Sequence, residues 1–446
     1  MAGPSRIAAL SFGGVRLTGR GWWFVAASAV LFAVAYGSGK QELLYVAALL
    51  GALPVIAVLV VRVRRPRLAV TRSFAPHVIP AGGTASVSLV VRNLAPARSV
   101  PAQWWDAIPW RPFETPVAEL PALQSRGARF AGRGNSVALE YDLRPPRRGV
   151  FPVGPLSVQV ADAFGLATST SIAGAAQPIT VTPEVIPLAE SGMTVPAGDG
   201  EARLVQRRAT GDEDDIMTRE YRDGDAMRRV HWRATARKGE LMVRQEEQRS
   251  LPEARILVDT RRTGYRDVAG AGEQDDEAES AAFEWVVRML ASVAVHLRRT
   301  GFVVTVEDTG VSQFELLSRG RRLTWGDEEF LAGLASLELT DPATSRKPAT
   351  RADGPLIALV GTPEPETLDW MLAQRRPGEL AVAFMVRSIS AIDIIDRSFG
   401  VPAVAPQIAD RLTDAGWLVV PVRADDDHAA AWEAVVMETG RSRGRA

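Results

Sequence analysis

The sequence predicts a multi-domain chain with three kinds of architecture. We expect an N-terminal transmembrane helical hairpin, an antiparallel β-sandwich-like domain and an α/β domain with a doubly wound sheet. Two uncharged apolar stretches near the N-terminus predict the hairpin. Short segments of alternating polarity between turn-forming residues predict the β domain. Strands that alternate with helices in the C-terminal half predict the α/β domain.

The two apolar stretches are each about as long as a helix that crosses a bilayer. They cover residues 21–38 and 43–61 and contain no charged residue, and a spanning helix needs about 20 residues. Trp22 and Trp23 are typical of the aromatic belt at a membrane surface. A cleaved signal peptide is an alternative for the first stretch. The second stretch is equally long and begins within five residues of the first, which favours an uncleaved hairpin. We therefore assign residues 1–65 to a membrane hairpin.

Arginines flank this hairpin on one side of the membrane. Three of them precede the first span, namely Arg6, Arg16 and Arg20. Five more follow the second span, namely Arg62, Arg64, Arg65, Arg67 and Arg72. The positive-inside rule therefore places the protein in the cytoplasmic membrane with its soluble domains facing the cytoplasm.

Three segments follow the hairpin. Residues 66–187 are expected to form the β domain, with strands near 84–91, 137–141, 156–160 and 179–181. Residues 188–250 begin with a linker rich in glycine, alanine and polar residues and end in a charged segment. Residues 251–440 are expected to form the α/β domain. Its predicted strands are 254–259, 301–308, 313–317, 355–361, 380–386 and 416–422, and its predicted helices are 276–300, 327–337, 364–374 and 428–438.

Composition argues against several classes of function. Lys+Arg and Asp+Glu number 52 each, so no overall charge attracts the chain to nucleic acid. The chain has no cysteine, which removes disulfides, cysteine–zinc sites and thiol catalysis. None of the four histidines has a second metal ligand at suitable spacing. No nucleophile elbow, P-loop or zinc-protease motif is present. We therefore expect no enzymatic activity, no cofactor and no small-molecule substrate.

Charged, aromatic and turn-forming residues are concentrated between residues 219 and 239. Gly224 predicts a turn, Asp225 an N-cap for a helix over residues 226–238, and Gly239 the end of that helix. One interpretation is a salt-bridged helix that joins the linker to the α/β domain, with Trp232 as a packing residue. The other is a surface that binds a protein partner or an anionic group. The candidate residues of this surface are Arg219, Tyr221, Gly224, Asp225, Arg228, Trp232 and Arg237.

These residues also carry a family resemblance. The run Arg219-Glu220-Tyr221, Gly224-Asp225, Arg228, Trp232, Ala236-Arg237 and Leu241 resembles the signature of the bacterial DUF58 family. Residues 147–155 followed by residues 162–166, together with the paired spans, are similar to other features of that family. The resemblance implies a membrane-anchored protein whose β domain precedes a von Willebrand factor A-like domain. It also implies a MoxR-type AAA+ ATPase as a partner in an assembly or envelope-related process. We expect a non-enzymatic protein-interaction module.

The resemblance also raises the question of a metal site. Von Willebrand A-like domains often bind Mg²⁺ through Asp-x-Ser-x-Ser after the first strand, and the matching residues here run from Asp259 to Thr263. Asp259 and Thr263 keep oxygen atoms, but Arg261 stands at the first hydroxyl position, where its guanidinium would repel a cation. We expect a degenerate site in which Asp259 pairs with an arginine or caps a segment.

Two other functions stay open as alternatives. One is Mg²⁺-dependent, adhesion-type binding at Asp259 and Thr263. The other is a hydrolase that uses Asp225 or Asp259 as a general base together with His231. The hydrolase hypothesis requires these three side chains to converge on one pocket.

Overall fold

A computed structural model describes residues 14–110, 118–126, 134–190, 218–221, 227, 230, 232–244, 252–265, 280–311, 313–314, 326–341, 354–387 and 406–443. The chain divides into two compact units. The first contains Met1–Glu184 and Glu328–Ser336, and the second contains Val185–Asp327 and Leu337–Ala446.

The predicted N-terminal helical hairpin is confirmed. Its helices are α1 (Gly19–Ser38) and α2 (Gln41–Val63), which pack against each other. The Ser28 hydroxyl of α1 donates a hydrogen bond of 2.7 Å to the Ala47 carbonyl of α2. Gly51 lies opposite Ser28, where a Cβ atom would collide with the serine hydroxyl. Small residues thus let the two helices approach closely.

Both hairpin helices are long and apolar enough to cross a membrane. Only 11% of the most apolar window of α1 and 22% of that of α2 is buried. A core helix of a water-soluble domain buries its apolar face, whereas these helices expose apolar side chains nearly all round. Their surface therefore suits surrounding lipid.

The first unit also contains the predicted β domain. Its strands are β1 (Val15–Leu17), β2 (Leu68–Ala75), β3 (Val78–Pro80), β4 (Ala85–Asn93), β5 (Ala102–Asp106), β6 (Ala118–Leu120), β7 (Ser136–Leu143), β8 (Gly149–Val153), β9 (Leu156–Ala161), β10 (Ala167–Ala173) and β11 (Gln177–Thr182). They form three sheets with the orders β1-β10-β9-β5-β6, β3-β11-β8 and β2-β4-β7. All pairs are antiparallel except β3 with β11. Strand β1 precedes α1, so the hairpin continues directly into a sheet.

Strand alternation builds the core of this domain. In β4 the side chains of Ala85, Val87, Leu89 and Val91 are fully buried, and the residues between them are more exposed. This is the pattern that a strand with one buried face requires. The buried side chains pack with those of β9 and β11 in one cluster. The apolar alternation in the sequence therefore fixes which face of the sheet is interior.

One ion pair lies inside this core. Arg72 and Asp106 are both almost fully buried and form a bidentate contact, with the shortest nitrogen–oxygen distance at 2.6 Å. The Tyr141 hydroxyl donates to Asp106 Oδ2 at 2.6 Å. Burial, followed by the contact with Asp106, raises the pKa of Tyr141 well above its ordinary value. Arg72 is thus part of the core and not one of the exposed charges that flank the second span.

The segment of residues 147–155 makes room for this ion pair. Gly154 has a φ of +93° in the left-handed region, and a Cβ atom there would collide with the Arg72 guanidinium. The Gly154 N–H donates to the Ala107 carbonyl at 2.7 Å, next to Asp106. The glycine of this motif therefore serves the packing of the domain.

The second unit contains the predicted α/β domain. Its sheet consists of β14 (Glu253–Val258), β15 (Val303–Asp308), β16 (Leu356–Val360), β17 (Ala381–Arg387) and β18 (Leu418–Arg423). The order is β15-β14-β16-β17-β18, and all four pairs are parallel. Every residue of the central strand β16 is buried, as expected where helices cover both faces.

The helices of the chain beyond the hairpin follow the sequence pattern with one addition. They are α3 (Trp232–Lys238), α4 (Ala281–Arg299), α5 (Asp327–Ala335), α6 (Pro365–Gln374), α7 (Pro406–Asp414) and α8 (His428–Arg443). Helix α7 is not among the predicted helices, and α3 begins later than predicted. Residues 315–317 of the predicted strand 313–317 lie outside the described residues, and residues 313 and 314 are not in a strand.

His428 joins two helices of the α/β domain. Its ring stacks on that of Trp285 with centroids 4.5 Å apart, and its Nε2 lies 3.2 Å from the Trp285 carbonyl oxygen. The carbonyl accepts a hydrogen bond, so the neutral ring carries its proton on Nε2. Burial lowers the pKa of His428 to about 4. The folded domain therefore holds this histidine uncharged at neutral pH.

We expect His428 to make the stability of this domain depend on pH. Folding lowers the pKa of His428 from about 6.5. As the pH falls, the histidine is therefore protonated in the unfolded chain before it is protonated in the folded chain. This contribution to stability is complete above pH 6.5 and is lost as the pH falls to 4. The loss is roughly 3 kcal/mol, at about 1.4 kcal/mol per pKa unit. His428→Gln, which keeps a donor but does not titrate, should flatten the profile.

Denaturant unfolding of the detergent-solubilised chain, followed by tryptophan fluorescence between pH 7 and 4, measures this effect. His77→Gln is the matched control, because His77 is exposed in the β domain. If His428→Gln keeps the pH slope of the parent protein, His428 is not the titrating group.

Candidate functional site

The charged segment between residues 219 and 244 forms a small strand–helix–strand unit. Strand β12 (Thr218–Glu220) pairs antiparallel with β13 (Met242–Arg244), and α3 lies between them in the chain. The Thr235 hydroxyl of α3 accepts a hydrogen bond from the Met242 N–H at 3.0 Å. The Tyr221 N–H donates to the Leu241 carbonyl at 2.8 Å. The first bond holds α3 to β13, and the second continues the pairing of β12 with β13.

The end of α3 agrees with the sequence, but its start does not. Gly239 has a φ of +77° and donates its N–H to the Thr235 carbonyl, as predicted for the residue that ends the helix. The predicted start at Ala226 is wrong, because Val230 forms a β-bridge with Val243 and the helix begins at Trp232. Asp225 is therefore not the N-cap of α3.

The structure describes some of the predicted surface residues and not others. Gly224, Asp225, Arg228 and His231 lie outside the described residues, and of Arg219 only the backbone is described. Tyr221 is half-buried, whereas Trp232 and Arg237 are exposed.

Trp232 is the most informative of these side chains. It is 65% exposed, so it is not a buried packing residue, whereas the salt bridges of the first interpretation stay a prediction. Met227 and Leu241, from the same segment, are also exposed apolar side chains. Arg237 and Lys238 form an exposed basic last turn of α3. Exposed tryptophan and arginine side chains on one short helix have the composition of a protein-binding surface.

The predicted metal position lies at the carboxyl end of β14. Asp259, directly after this strand, is completely buried and is paired with Arg261. Arg261 Nε lies 2.9 Å from Asp259 Oδ1, and Arg261 Nη2 lies 3.0 Å from Oδ2. The predicted pairing of Asp259 with an arginine is confirmed. Such a fork-to-fork contact is the strongest arrangement of these two groups.

Arg261 is held by a second carboxylate as well. Its Nη1 donates to Glu364 Oε2 at 2.9 Å, just before α6 begins. Burial opposes the charge of Arg261, but the hydrogen bond and the attraction of Asp259, aided by Glu364, outweigh burial and raise the pKa of Arg261. The guanidinium therefore stays charged between two carboxylates.

These residues do not fit a magnesium ion. Both oxygens of Asp259 are occupied by a guanidinium, which carries positive charge and has no lone pair for a metal. Thr263, the second predicted oxygen donor, is exposed on a short 3₁₀ turn, and it is the Thr309 hydroxyl that donates to Asp259 Oδ1 at 2.6 Å. Within the described parts of the chain, no three acidic or histidine side chains are grouped as metal ligands.

Glycine residues close the space around Asp259. A Cβ atom on Gly264 would collide with Asp259 Oδ2, and one on Gly361 would collide with the Gly264 carbonyl. A Cβ atom on Gly310 would likewise collide with the hydroxyls of Thr260 and Thr340. The backbone therefore approaches the ion pair directly. The sequence signal for this packing is the pair Gly310 and Gly361, which follow the ends of β15 and β16.

Of the three residues in the hydrolase hypothesis, the structure describes only Asp259. This carboxylate is fully buried and accepts hydrogen bonds from Arg261 and Thr309. Asp225 and His231 lie outside the described residues, and their geometry relative to Asp259 is therefore not part of the structure.

A protein-family model matches part of this chain. A family model described as "Protein of unknown function DUF58" matches residues 217–305. We call residues 217–305 the DUF58 segment, because the similarity to this family covers these residues. The predicted resemblance is confirmed over these residues, which include β12, α3, β13, β14 and α4. The DUF58 segment thus contains both the exposed Trp232 and the buried Asp259–Arg261 pair.

Other comparisons add little. No curated protein matches the chain. A solution structure of the CARDB domain of PF1109 from Pyrococcus furiosus is similar at 15% identity, covering 27% of this chain and 97% of that domain, with a TM-score of 0.18. A crystal structure of the same domain in complex with di-metal ions gives the same identity and coverage with a TM-score of 0.16. Scores this low do not establish a shared fold.

Proposed function

We propose that this protein is a membrane-anchored, non-enzymatic interaction module whose DUF58 segment binds another protein. Helices α1 and α2 hold the chain in the cytoplasmic membrane, and the soluble domains face the cytoplasm. The exposed side chains of α3, among them Trp232 and Arg237, form the binding surface. By the family resemblance, the partner is a MoxR-type AAA+ ATPase in an assembly or envelope-related process.

The exposure of Trp232 is the observation that carries this proposal. A tryptophan that is 65% exposed leaves a large apolar area in water, and burying it against a partner is favourable at about 25 cal/mol per Å². Arg237 and Lys238, in the last turn of the same helix, are also exposed and add charged hydrogen-bond donors. The contacts of Thr235 and Gly239 hold the helix in place. A surface that is rigid before binding loses less entropy when the partner arrives.

The state of the Asp259 position supports a binding role without a metal. In this arrangement the cation at the end of β14 is Arg261, which belongs to the chain itself. Arg261 neutralises the negative charge of Asp259, so we propose that Mg²⁺ takes no part in partner binding. The DUF58 segment would then recognise its partner through side chains of the α3 surface.

Affinity capture of the full-length, tagged protein from native membranes tests this proposal. We expect Trp232→Ala combined with Arg237→Ala to lower partner recovery at least about tenfold. Alanine replacement of interface tryptophan and arginine often costs about 2 kcal/mol or more, and 1.4 kcal/mol corresponds to a factor of ten. The partner is identified by mass spectrometry and expected to be an AAA+ ATPase.

Met437→Ala combined with Arg262→Ala is the matched control, since both side chains are exposed elsewhere in the same unit. It should leave partner recovery unchanged. If the Trp232/Arg237 variant is folded and still captures every specific partner, α3 is not the binding surface.

A further inference from the structure

A tight turn of the β domain lies against the base of the helical hairpin. The turn covers residues 162–165 and connects β9 to β10. The Thr18 hydroxyl donates to the Gly165 carbonyl at 2.6 Å, and the Thr18 N–H donates to the Leu166 carbonyl at 2.9 Å. Thr18 is also the N-cap of α1. The turn is therefore fixed at the level where α1 begins.

The end of α2 reaches the same place. Val61 packs with Leu166 and Ala167, and Arg65 donates to the Ser169 hydroxyl at 3.1 Å. Gly21 lies so close to the Leu166 carbonyl that a Cβ atom would collide with it. The turn is thus held by both helices at the end of the hairpin that faces the β domain.

The turn itself is rigid and points an aromatic ring outward. The Asp162 carboxylate accepts hydrogen bonds from the Phe164 N–H at 2.8 Å and from the Ala167 N–H at 2.6 Å. Gly165 takes the left-handed conformation with a φ of +68°. Phe164, at the tip, is 70% exposed. A fixed backbone therefore presents a large apolar side chain away from the protein.

Basic residues surround this base of the hairpin. Arg20 approaches the turn, with a guanidinium nitrogen 4.0 Å from where a Gly165 Cβ would lie. Other exposed arginines near the ends of the two helices are Arg16, Arg62, Arg64 and Arg67. No acidic residue occurs in residues 14–20 or 62–72. The acidic group of the turn, Asp162, accepts hydrogen bonds from its own backbone. Trp23, in the second turn of α1 and two residues after Gly21, is 77% exposed.

We propose that the Phe164 turn and these arginines form a lipid-binding surface. Phe164 enters the interfacial layer of the same bilayer that the hairpin crosses, and the arginines bind the phosphates of anionic lipid headgroups. The proposal rests on the membrane-anchoring part of the proposed function. Continuity with the exposed apolar surface of α1 identifies the occupant as lipid, and the excess of arginine identifies the lipid as anionic. The surface sets the orientation of the β domain relative to the membrane.

Single cysteine variants test this proposal cleanly, because the 446-residue sequence has no cysteine. Phe164→Cys carries a spin label at the turn. Ile172→Cys is the matched control, since Ile172 is 72% exposed in the same domain. Strand β1 runs into α1 and pairs antiparallel with β10, so β10 runs away from the hairpin. Along β10, Ile172 lies about 16 Å beyond Ala167 at ~3.3 Å per residue, and it is therefore further from the hairpin. Leu49→Cys, on the exposed surface of α2, reports the hairpin itself.

The labelled proteins are placed in nanodiscs of phosphatidylcholine with phosphatidylglycerol, and each label is tested for accessibility to oxygen and to a water-soluble nickel complex. We expect lipid-type accessibility at positions 49 and 164 and water-type accessibility at position 172. If position 49 is in lipid while position 164 is as water-accessible as position 172, the lipid-binding surface is contradicted and the anchor stands. If position 49 is in water, the membrane anchoring on which the proposal rests is contradicted.

The arginines are tested in the same assay. The lipid-type accessibility at position 164 should increase with the fraction of phosphatidylglycerol. Arg20→Gln combined with Arg64→Gln should remove that increase while leaving position 49 in lipid. An unchanged dependence on phosphatidylglycerol in this variant would contradict the role of the arginines.

Discussion

Arg261→Ala is expected to destabilise the α/β domain by roughly 3–5 kcal/mol, the cost of leaving a buried charge without its partner. Asp259 is fully buried, and in the parent protein Arg261 contacts both of its oxygens. The variant leaves this carboxylate with two described donors, the Thr309 hydroxyl and the backbone N–H of residue 261. Denaturant unfolding of the full chain in detergent, followed by tryptophan fluorescence, measures the loss.

Two further variants make this prediction specific. Arg262→Ala removes a neighbouring arginine that is exposed, and it should change the free energy of unfolding by less than about 0.5 kcal/mol. Asp259→Leu combined with Arg261→Met replaces both charges and should recover much of the lost stability. An Arg261→Ala protein as stable as the Arg262→Ala protein would show that the ion pair does not stabilise the domain.

Asp106→Ala is expected to destabilise the β domain by a similar amount, roughly 3–5 kcal/mol. Arg72 is almost fully buried against Asp106, and it also donates a hydrogen bond of 3.0 Å to the Ala175 carbonyl. The variant leaves the guanidinium without a counter-charge and removes the acceptor of the Tyr141 hydroxyl. Tyr141→Phe removes one hydrogen bond only and should cost about 1–3 kcal/mol.

Arg92→Ala is the control for this network, because Arg92 is exposed on β4 in the same domain. Thermal unfolding monitored by the β signal of circular dichroism compares the variants. Equal midpoints for Asp106→Ala and Arg92→Ala would contradict the importance of the buried pair.

The sequence predicts most of the architecture because its strongest signals are local. The lack of charge over residues 21–38 and 43–61 is sufficient to predict α1 and α2. Alternation predicts β4, and continuous apolar runs predict the strands of the parallel sheet. Strand β1 has three residues and pairs with β10 far along the chain, so no local pattern reveals it.

The candidate site depended on contacts between distant residues and was predicted less completely. The pairing of Asp259 could be expected because Arg261 is two residues away, whereas Thr309 reaches it from the next strand of the sheet. Arg72 is a flanking charge in the sequence, and only the fold brings it to Asp106. The helical pattern of residues 226–238 hid the bridge between Val230 and Val243. Apolar spacing likewise cannot tell an exposed tryptophan from a packed one.

The central claim is that the exposed face of α3 contacts another protein at the membrane. Photo-cross-linking in intact cells tests it most directly, with a photoreactive phenylalanine analogue at position 232 and, as the control, at position 437, which is exposed on α8. The account predicts one dominant protein adduct at position 232, identified by mass spectrometry as an AAA+ ATPase and absent at position 437. Position 232 giving no protein adduct, or the same adducts as position 437, would contradict it.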